Sequence, residues 1–94
     1  MIDDEFEWDD AKAAQNFRDH GVTFEIARTV FRDPIALDWL DDREDHGEPR
    51  YSTIGMGEGR LLYVAYTVRG DSIRIISARG AEPYEQRRYH EETS

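Results

Sequence analysis

The feature that most constrains this chain is residues 61–79, LLYVAYTVRGDSIRIISAR, two apolar runs joined across Arg69-Gly70-Asp71-Ser72. A short Gly-Asp link between such runs is a hairpin signal, because glycine readily supplies the positive φ that a tight β-turn needs. The pair therefore predicts two antiparallel strands at the heart of a sheet. Arg74 and Arg79 stand inside the second run rather than in the loops around it. A guanidinium on a rigid sheet is costly to desolvate, so its placement asks for an anionic ligand or a carboxylate partner.

A chain of 94 residues fits a single domain, residues 1–94, with one core. Eleven aromatic residues argue against disorder despite the high charge. The absence of cysteine excludes disulfides and thiolate metal sites, and it suits a cytoplasmic protein. The longest apolar run, residues 61–68, is too short to span a bilayer. The N-terminal MIDDEFEWDD is the opposite of a secretory or transit signal. A soluble, cytoplasmic protein with no membrane association is the expectation.

Net charge is −9, which alone argues against nucleic acid. Its distribution is uneven, however. Residues 1–49 carry fifteen acids against five bases, whereas residues 50–94 carry six acids against seven arginines. Only the second half offers phosphates a favourable surface, and only locally, since salt screens fields beyond about 8–10 Å. Lys12 is the sole lysine; the other fixed cations are arginine, whose planar fork suits two-point contact with phosphate.

Along the chain, Phe6-Glu7-Trp8 alternates as a short strand, and Asp9 and Asp10 cap a helix running through Asp19. Ala11, Ala14 and Phe17 recur every three residues and predict its inward stripe. Gly21 is the stop. Thr23 caps a second helix with Phe24, Ala27, Val30 and Phe31 on one side, ended by Asp33-Pro34. Ile35, Leu37 and Trp39 alternate as a strand, residues 41–49 form a charged loop, and residues 51–56 form the next strand. Residues 57–59 then turn into the 61–68 and 73–78 strands, and a last helix starts near Glu82-Pro83 and runs to about Glu91. The result is α+β, in the order β-α-α-β-β-β-β-α, with an antiparallel sheet covered by two N-terminal helices and one C-terminal helix. Strict alternation in the last strand puts Arg74, Ile76 and Ala78 on one face and Ile73, Ile75, Ser77 and Arg79 on the other.

Phe6-Glu7-Trp8-Asp9, Lys12, Asn16 and His20-Gly21-Val22 resemble the opening signature of BrnT toxins. Asp33-Pro34, Gly47-Glu48-Pro49-Arg50, Gly55, Ala65-Tyr66-Thr67 and the run from Arg74 to Arg79 follow in that family's order, and Arg87-Arg88-Tyr89 resembles its closing helix. The resemblance implies a RelE-like fold and a ribonuclease activity that arrests translation. It also implies a BrnA-like antitoxin with a ribbon-helix-helix DNA-binding domain, so that DNA is reached only through the antitoxin, in a complex that represses its own operon. Asp19 stands where the family usually has a basic residue, and Glu82 and Glu85 interrupt a segment that is usually basic. These departures motivate a second reading: a weak or inactive binding module that acts with the antitoxin in operon autoregulation.

Metal-independent RNA cleavage needs a base for the 2′-hydroxyl, cations for the phosphoryl oxygens and a donor for the leaving 5′-oxygen. His20 is the candidate for proton transfer, at a helix C-terminus whose unpaired carbonyls attract a cation; its plainer role is a cap on those carbonyls. Arg50 and Arg79 are the candidate charge stabilisers, or else they pair with acids of residues 38–48. Glu48 is a further candidate base, or one of those pairing acids. Lys12, Arg74 and Arg88 are candidates for the RNA backbone. Tyr66 is a candidate for stacking on a base, against a core role with a bonded hydroxyl. The three histidines are widely separated and no metal-ligand spacing occurs, so no metal or other cofactor is expected. Gly55, Gly57 and Gly59 lead into a strand, not a helix, and read as a turn rather than a phosphate loop.

Overall fold

The computed structural model describes residues 5–42 and 47–93. Among them a five-stranded mixed sheet and three α-helices form an α+β domain. The elements run β1 (Phe6–Glu7), α1 (Asp10–His20), α2 (Phe24–Ala27) with a 3₁₀ turn (Arg28–Arg32), β2 (Leu37–Asp41), β3 (Arg50–Gly57), β4 (Arg60–Arg69), β5 (Ser72–Gly80) and α3 (Pro83–Thr93). Their spatial order in the sheet is β1-β5-β4-β3-β2. The hairpin expected from residues 61–79 is its centre, with Arg69 opposite Ser72 and Thr67 opposite Arg74. Of the charged loop expected at residues 41–49, residues 43–46 lie outside the described set.

The sheet is not purely antiparallel. β1 pairs parallel with β5, Phe6 opposite Ile73 and Glu7 opposite Arg74. The helices α1 and α2 lie between β1 and the hairpins in the chain, so β1 joins the sheet by a crossover, the connection that permits parallel pairing. The strand expected from Ile35 begins instead at Leu37, because Asp33 closes a turn by bonding the Ile35 N–H at 3.0 Å.

One face of the sheet is covered by α1, α2 and the 3₁₀ turn. Phe6, Trp8, Val22, Phe24, Val30, Leu62, Val64, Ile75 and Ala78 form the core there, and Trp8 meets Phe24 edge to face at 5.9 Å. Each large side chain so buried contributes about 1.5–3 kcal/mol of transfer free energy. The second helix presents Phe24, Ala27 and Val30 inward as expected. Gly55 makes the close approach possible: a Cβ there would stand 2.7 Å from Val30 Cγ1 and 2.9 Å from the Ala36 Cβ.

The caps of α1 follow the sequence. Asp9 Oδ1 accepts from the Lys12 N–H at 2.9 Å, and Gly21 ends the helix in the left-handed region at φ 70°. Its inward face does not follow. Ala11, Ala14 and Phe17 face solvent, with Phe17 54% exposed, and the buried residue is Asn16. Beyond its two residues β1 leaves the edge of β5 uncovered, and the Asn16 amide fills that place. Its Nδ2 donates to the carbonyls of Ala78 and Val22, both at 2.9 Å, and its Oδ1 accepts from the Ala78 N–H at 3.0 Å. A side chain thus completes the sheet's hydrogen bonding where a strand would, which is why a polar residue points inward.

The other face carries α3. That helix has few apolar residues, and its buried positions are Glu85 and Tyr89, four apart on one side. Tyr89 donates to Asp33 Oδ2 at 2.7 Å, and Glu85 takes both terminal nitrogens of Arg79 at 2.8 and 3.0 Å. α3 is therefore docked largely by hydrogen bonds.

Candidate nucleic-acid interface

A β-bulge decides which arginines share a surface. Tyr66 pairs with Ile75 and Ala65 with Ser77, so Ile76 is an extra residue and the alternation of β5 reverses across it. Ile75 and Ala78 both enter the helix-side core, whereas strict alternation sends them to opposite faces. Arg74, Ser77 and Arg79 consequently lie on the same face, the one that carries α3. This overturns the expected division of Arg74 from Arg79.

That face is built in rows across the strands. At one end Arg50 of β3 lies opposite Thr67, Thr67 pairs with Arg74, and Arg74 with Glu7. The middle row is small: Ser52, Ala65 and Ser77, with Trp39 at its β2 end. At the far end stand Ile54, Tyr63 and Arg79 beneath α3.

The first row opens into a pocket of about 100 Å³ lined by Asp9, Lys12, Glu48, Arg50, Arg69, Arg74, Ile75 and Ile76. Four of the twelve fixed cations of an acidic chain meet there. Buried Thr67 donates to the Pro49 carbonyl, which anchors the segment carrying Glu48 and Arg50 against β4. The Arg50 Nε is buried and has no hydrogen-bond partner among the described residues. Arg74 faces Glu7 at 3.8 Å, a loose ion pair. Glu48 is gripped by Arg69 at 3.1 and 3.3 Å; this hydrogen bonding holds its carboxyl below the usual carboxylate range and raises the guanidinium. Asp9 is likewise held low, chiefly by the Lys12 N–H it caps.

The predicted residues divide. Lys12, Glu48, Arg50 and Arg74 converge on this pocket. His20 does not line it: it is exposed at the far end of α1, eight residues and about 12 Å of helix beyond Lys12. Arg79 lies at the α3 end, its guanidinium 4.2 Å above the Tyr63 ring and bound by Glu85, with Glu82 at 3.7 Å. Its carboxylates are Glu82, just before α3, and Glu85 within it, not acids of residues 38–48. Burial pulls the Glu85 carboxyl upward, but the bonds from Arg79 and from the Glu82 N–H outweigh it and hold it low. Tyr66 is in the helix-side core, stacked on Tyr51 and edge-on to Phe31, and its hydroxyl donates to Asp38 at 2.6 Å. Arg88 lies over the Trp39 ring at 4.7 Å. Sequence reasoning missed Arg69. Its signal was the hairpin register, since a two-residue turn places Arg69 two positions from Thr67 on one face, beside Arg74.

A family model described as the ribonuclease toxin BrnT of type II toxin–antitoxin systems matches residues 8–85. The chain belongs to that family. The matched span contains every lining residue of the basic pocket and ends at Glu85, the carboxylate that fixes Arg79. Membership of a type II toxin–antitoxin family implies an antitoxin partner. Comparison with curated protein sequences found no match. No described helix is long and apolar enough to cross a membrane, and among the described residues no group of three or more His, Asp or Glu side chains is arranged to hold a metal ion.

Proposed function

We propose that this BrnT toxin cuts single-stranded RNA at the Lys12–Arg50–Arg69–Arg74 pocket without a metal ion, and that cutting arrests translation. The observation that carries the reading is the convergence of four cations on one small concavity of a strongly acidic chain. Guanidinium groups on β3 and β5, on either side of β4, can engage oxygens of one phosphate and stabilise the extra charge of the pentacoordinate state. The 2′-oxygen attacks phosphorus, the bond to the 5′-oxygen breaks, and the products are a 2′,3′-cyclic phosphate and a 5′-hydroxyl.

In this reading Glu48 takes the 2′-hydroxyl proton. In the free protein it is occupied by Arg69, whose side chain is half exposed. An incoming phosphate competes for Arg69 and releases Glu48 within the same pocket. The Arg50 guanidinium, whose buried Nε finds no hydrogen-bond partner among the described residues, is the proposed donor to the phosphoryl oxygens. His20 and Arg79 have no part in this step, and departure of the 5′-oxygen proceeds with proton transfer from water.

The partner in this proposal is a BrnA-like antitoxin with a ribbon-helix-helix domain, through which the complex reaches operator DNA. Helices on both faces of a short twisted sheet support a RelE-like classification. The test is incubation of the purified chain with single-stranded RNA in EDTA, with mapping of the product ends. Cyclic-phosphate ends that vanish in Arg50→Ala and Arg74→Ala uphold the site. Intact RNA and normal growth of cells expressing the chain alone leave the autoregulatory binding module as the better account.

A further inference from the structure

The α3 end of the same sheet face holds a second cavity, of about 320 Å³, whose walls include Trp39, Tyr63, Tyr84, Arg79, Arg88 and Asp42. Its chemistry differs from that of the basic pocket. Two aromatic rings meet edge to face, Trp39 and Tyr63 at 6.1 Å, so each leaves a ring face for stacking. A guanidinium already occupies each of those positions: Arg88 over Trp39 at 4.7 Å and Arg79 over Tyr63 at 4.2 Å. The two are held unequally. Arg79 is bound bidentately to buried Glu85, whereas Arg88 is half exposed and meets Glu92 only at 3.7 Å. Arg88 can therefore swing away from Trp39 and close again over a flat ligand. Tyr84, 57% exposed on the first turn of α3 with its hydroxyl 3.3 Å from Glu85 Oε2, forms a rim.

Resting on the ribonuclease reading, we propose that this cavity receives one nucleobase of the RNA strand held at the basic pocket, stacked between Trp39 and the Arg88 guanidinium. Planar, polarisable walls with a mobile cation suit a base, since aromatic stacking and cation–π contact tolerate any π-face. The path between the pockets runs over Ala65 and Ser77, which are part exposed, while Ser52 beside them is buried with the Tyr63 hydroxyl 2.7 Å from its Oγ. Thr67 and Tyr63 are four residues apart on β4, about 13 Å at ~3.3 Å per residue, and the row between them is Ser52, Ala65 and Ser77. Ala65 and Ser77 are small side chains over which a backbone can cross the sheet. The Asp42 carboxylate at the wall accepts hydrogen bonds but cannot donate them, so it favours a base bearing an exocyclic amine. A polypeptide segment fits less well: of the exposed large apolar residues only Leu40 and Tyr84 line the cavity, and two of its walls are guanidinium groups.

The test is the affinity of the full chain for short single-stranded oligonucleotides with 2′-O-methyl groups, which block cleavage, read by anisotropy of a terminal dye. Trp39→Leu and Tyr84→Ala are each expected to weaken binding by roughly tenfold. They also erase the penalty of a single abasic position and the preference for amine-bearing bases, while the salt dependence stays that of the parent. Tyr84→Ala guards against misfolding, because the ring it removes is mostly in solvent. Variants that bind and discriminate as the parent does, with RNA still cut, overturn the base pocket and leave the ribonuclease reading standing. Loss of antitoxin binding with RNA affinity intact assigns the cavity to protein docking and overturns it equally. A parent that binds no oligonucleotide removes both readings.

Discussion

Asn16 is the residue through which α1 is tied to the sheet, and its replacement by alanine has a calculable cost. Three hydrogen bonds are lost, and the Ala78 N–H and carbonyl stay buried beneath the helix without a strand to meet them. At about 1 kcal/mol net for each bond, with a further penalty for the orphaned amide, the loss is about 3–4 kcal/mol. That is a large share of the roughly 5–15 kcal/mol typical of a domain, and it lowers the melting temperature by some 12–30 °C for a chain of this size. Urea denaturation at neutral pH measures it directly. Asn16→Asp sharpens the test. Its carboxylate still accepts from the Ala78 N–H but sets negative charge against the Ala78 and Val22 carbonyls. The aspartate variant is therefore less stable than the alanine variant at pH 7; its folded carboxyl is pushed above the unfolded value near 4, so it recovers ground as pH falls toward about 4, where the recovery is complete. A cost under 1 kcal/mol for Asn16→Ala, or an aspartate variant as stable as the parent at neutral pH, refutes the account of how α1 is held.

Gly55→Ala overpacks the contact with Val30 and Ala36 and is expected to cost about 1–3 kcal/mol in the same denaturation assay. Glu85→Ala strips Arg79 of a bidentate partner that is itself buried; since Arg79 keeps some access to solvent, the expected cost is about 2–3 kcal/mol, read from a double-mutant cycle with Arg79→Ala. Asp33 and Glu85 are both held low in the fold, Asp33 because the Met56 N–H, Tyr89 hydroxyl and Ile35 N–H outweigh its burial. A depressed carboxyl stabilises above its unfolded value, near 4, and stops doing so as pH falls through the folded value, so thermal stability declines below about pH 4. Tyr89 behaves oppositely: burial and Asp33 push its hydroxyl up to about 12, so its contribution is complete below pH ~10 and disappears as pH rises through that value. RNA affinity falls with salt, and Lys12→Ala with Arg74→Ala reduces the slope of log affinity against log salt by about 1.4, at ~0.7 per phosphate contact.

Much of this fold was legible because local signals agreed with one another. The turn at Gly70-Asp71 set the β4–β5 register, Asp9 and Gly21 bounded α1, and Phe24, Ala27 and Val30 marked the inward side of the second helix. What escaped had physical causes. Apolar periodicity favoured Ala11, Ala14 and Phe17, but the inner face of α1 is chosen by the polar service Asn16 gives to β5. A bulge is invisible to period-two alternation, and Ile76, apolar like its neighbours, gave no mark of being the extra residue. β1 is too short for its pairing direction to be read. The candidate site was legible in its residue types and in the strand-end position of Arg50. Arg79 stands apart from that pocket because Glu85 of α3 holds it, a pairing that the expected C-terminal helix did not by itself reveal.

The central claim is that guanidinium groups on β3 and β5 act together on one phosphate. It is tested most directly by the single-turnover rate of RNA cleavage for the parent, Arg50→Ala, Arg74→Ala and the double variant, each confirmed folded by its melting curve. Removal of a group that stabilises transition-state charge costs on the order of a hundredfold or more. Each single variant is expected to lose about that much, and the double variant less than the product of the two losses, as for groups that share one target. Cleavage by the double variant at the parental rate would contradict the account.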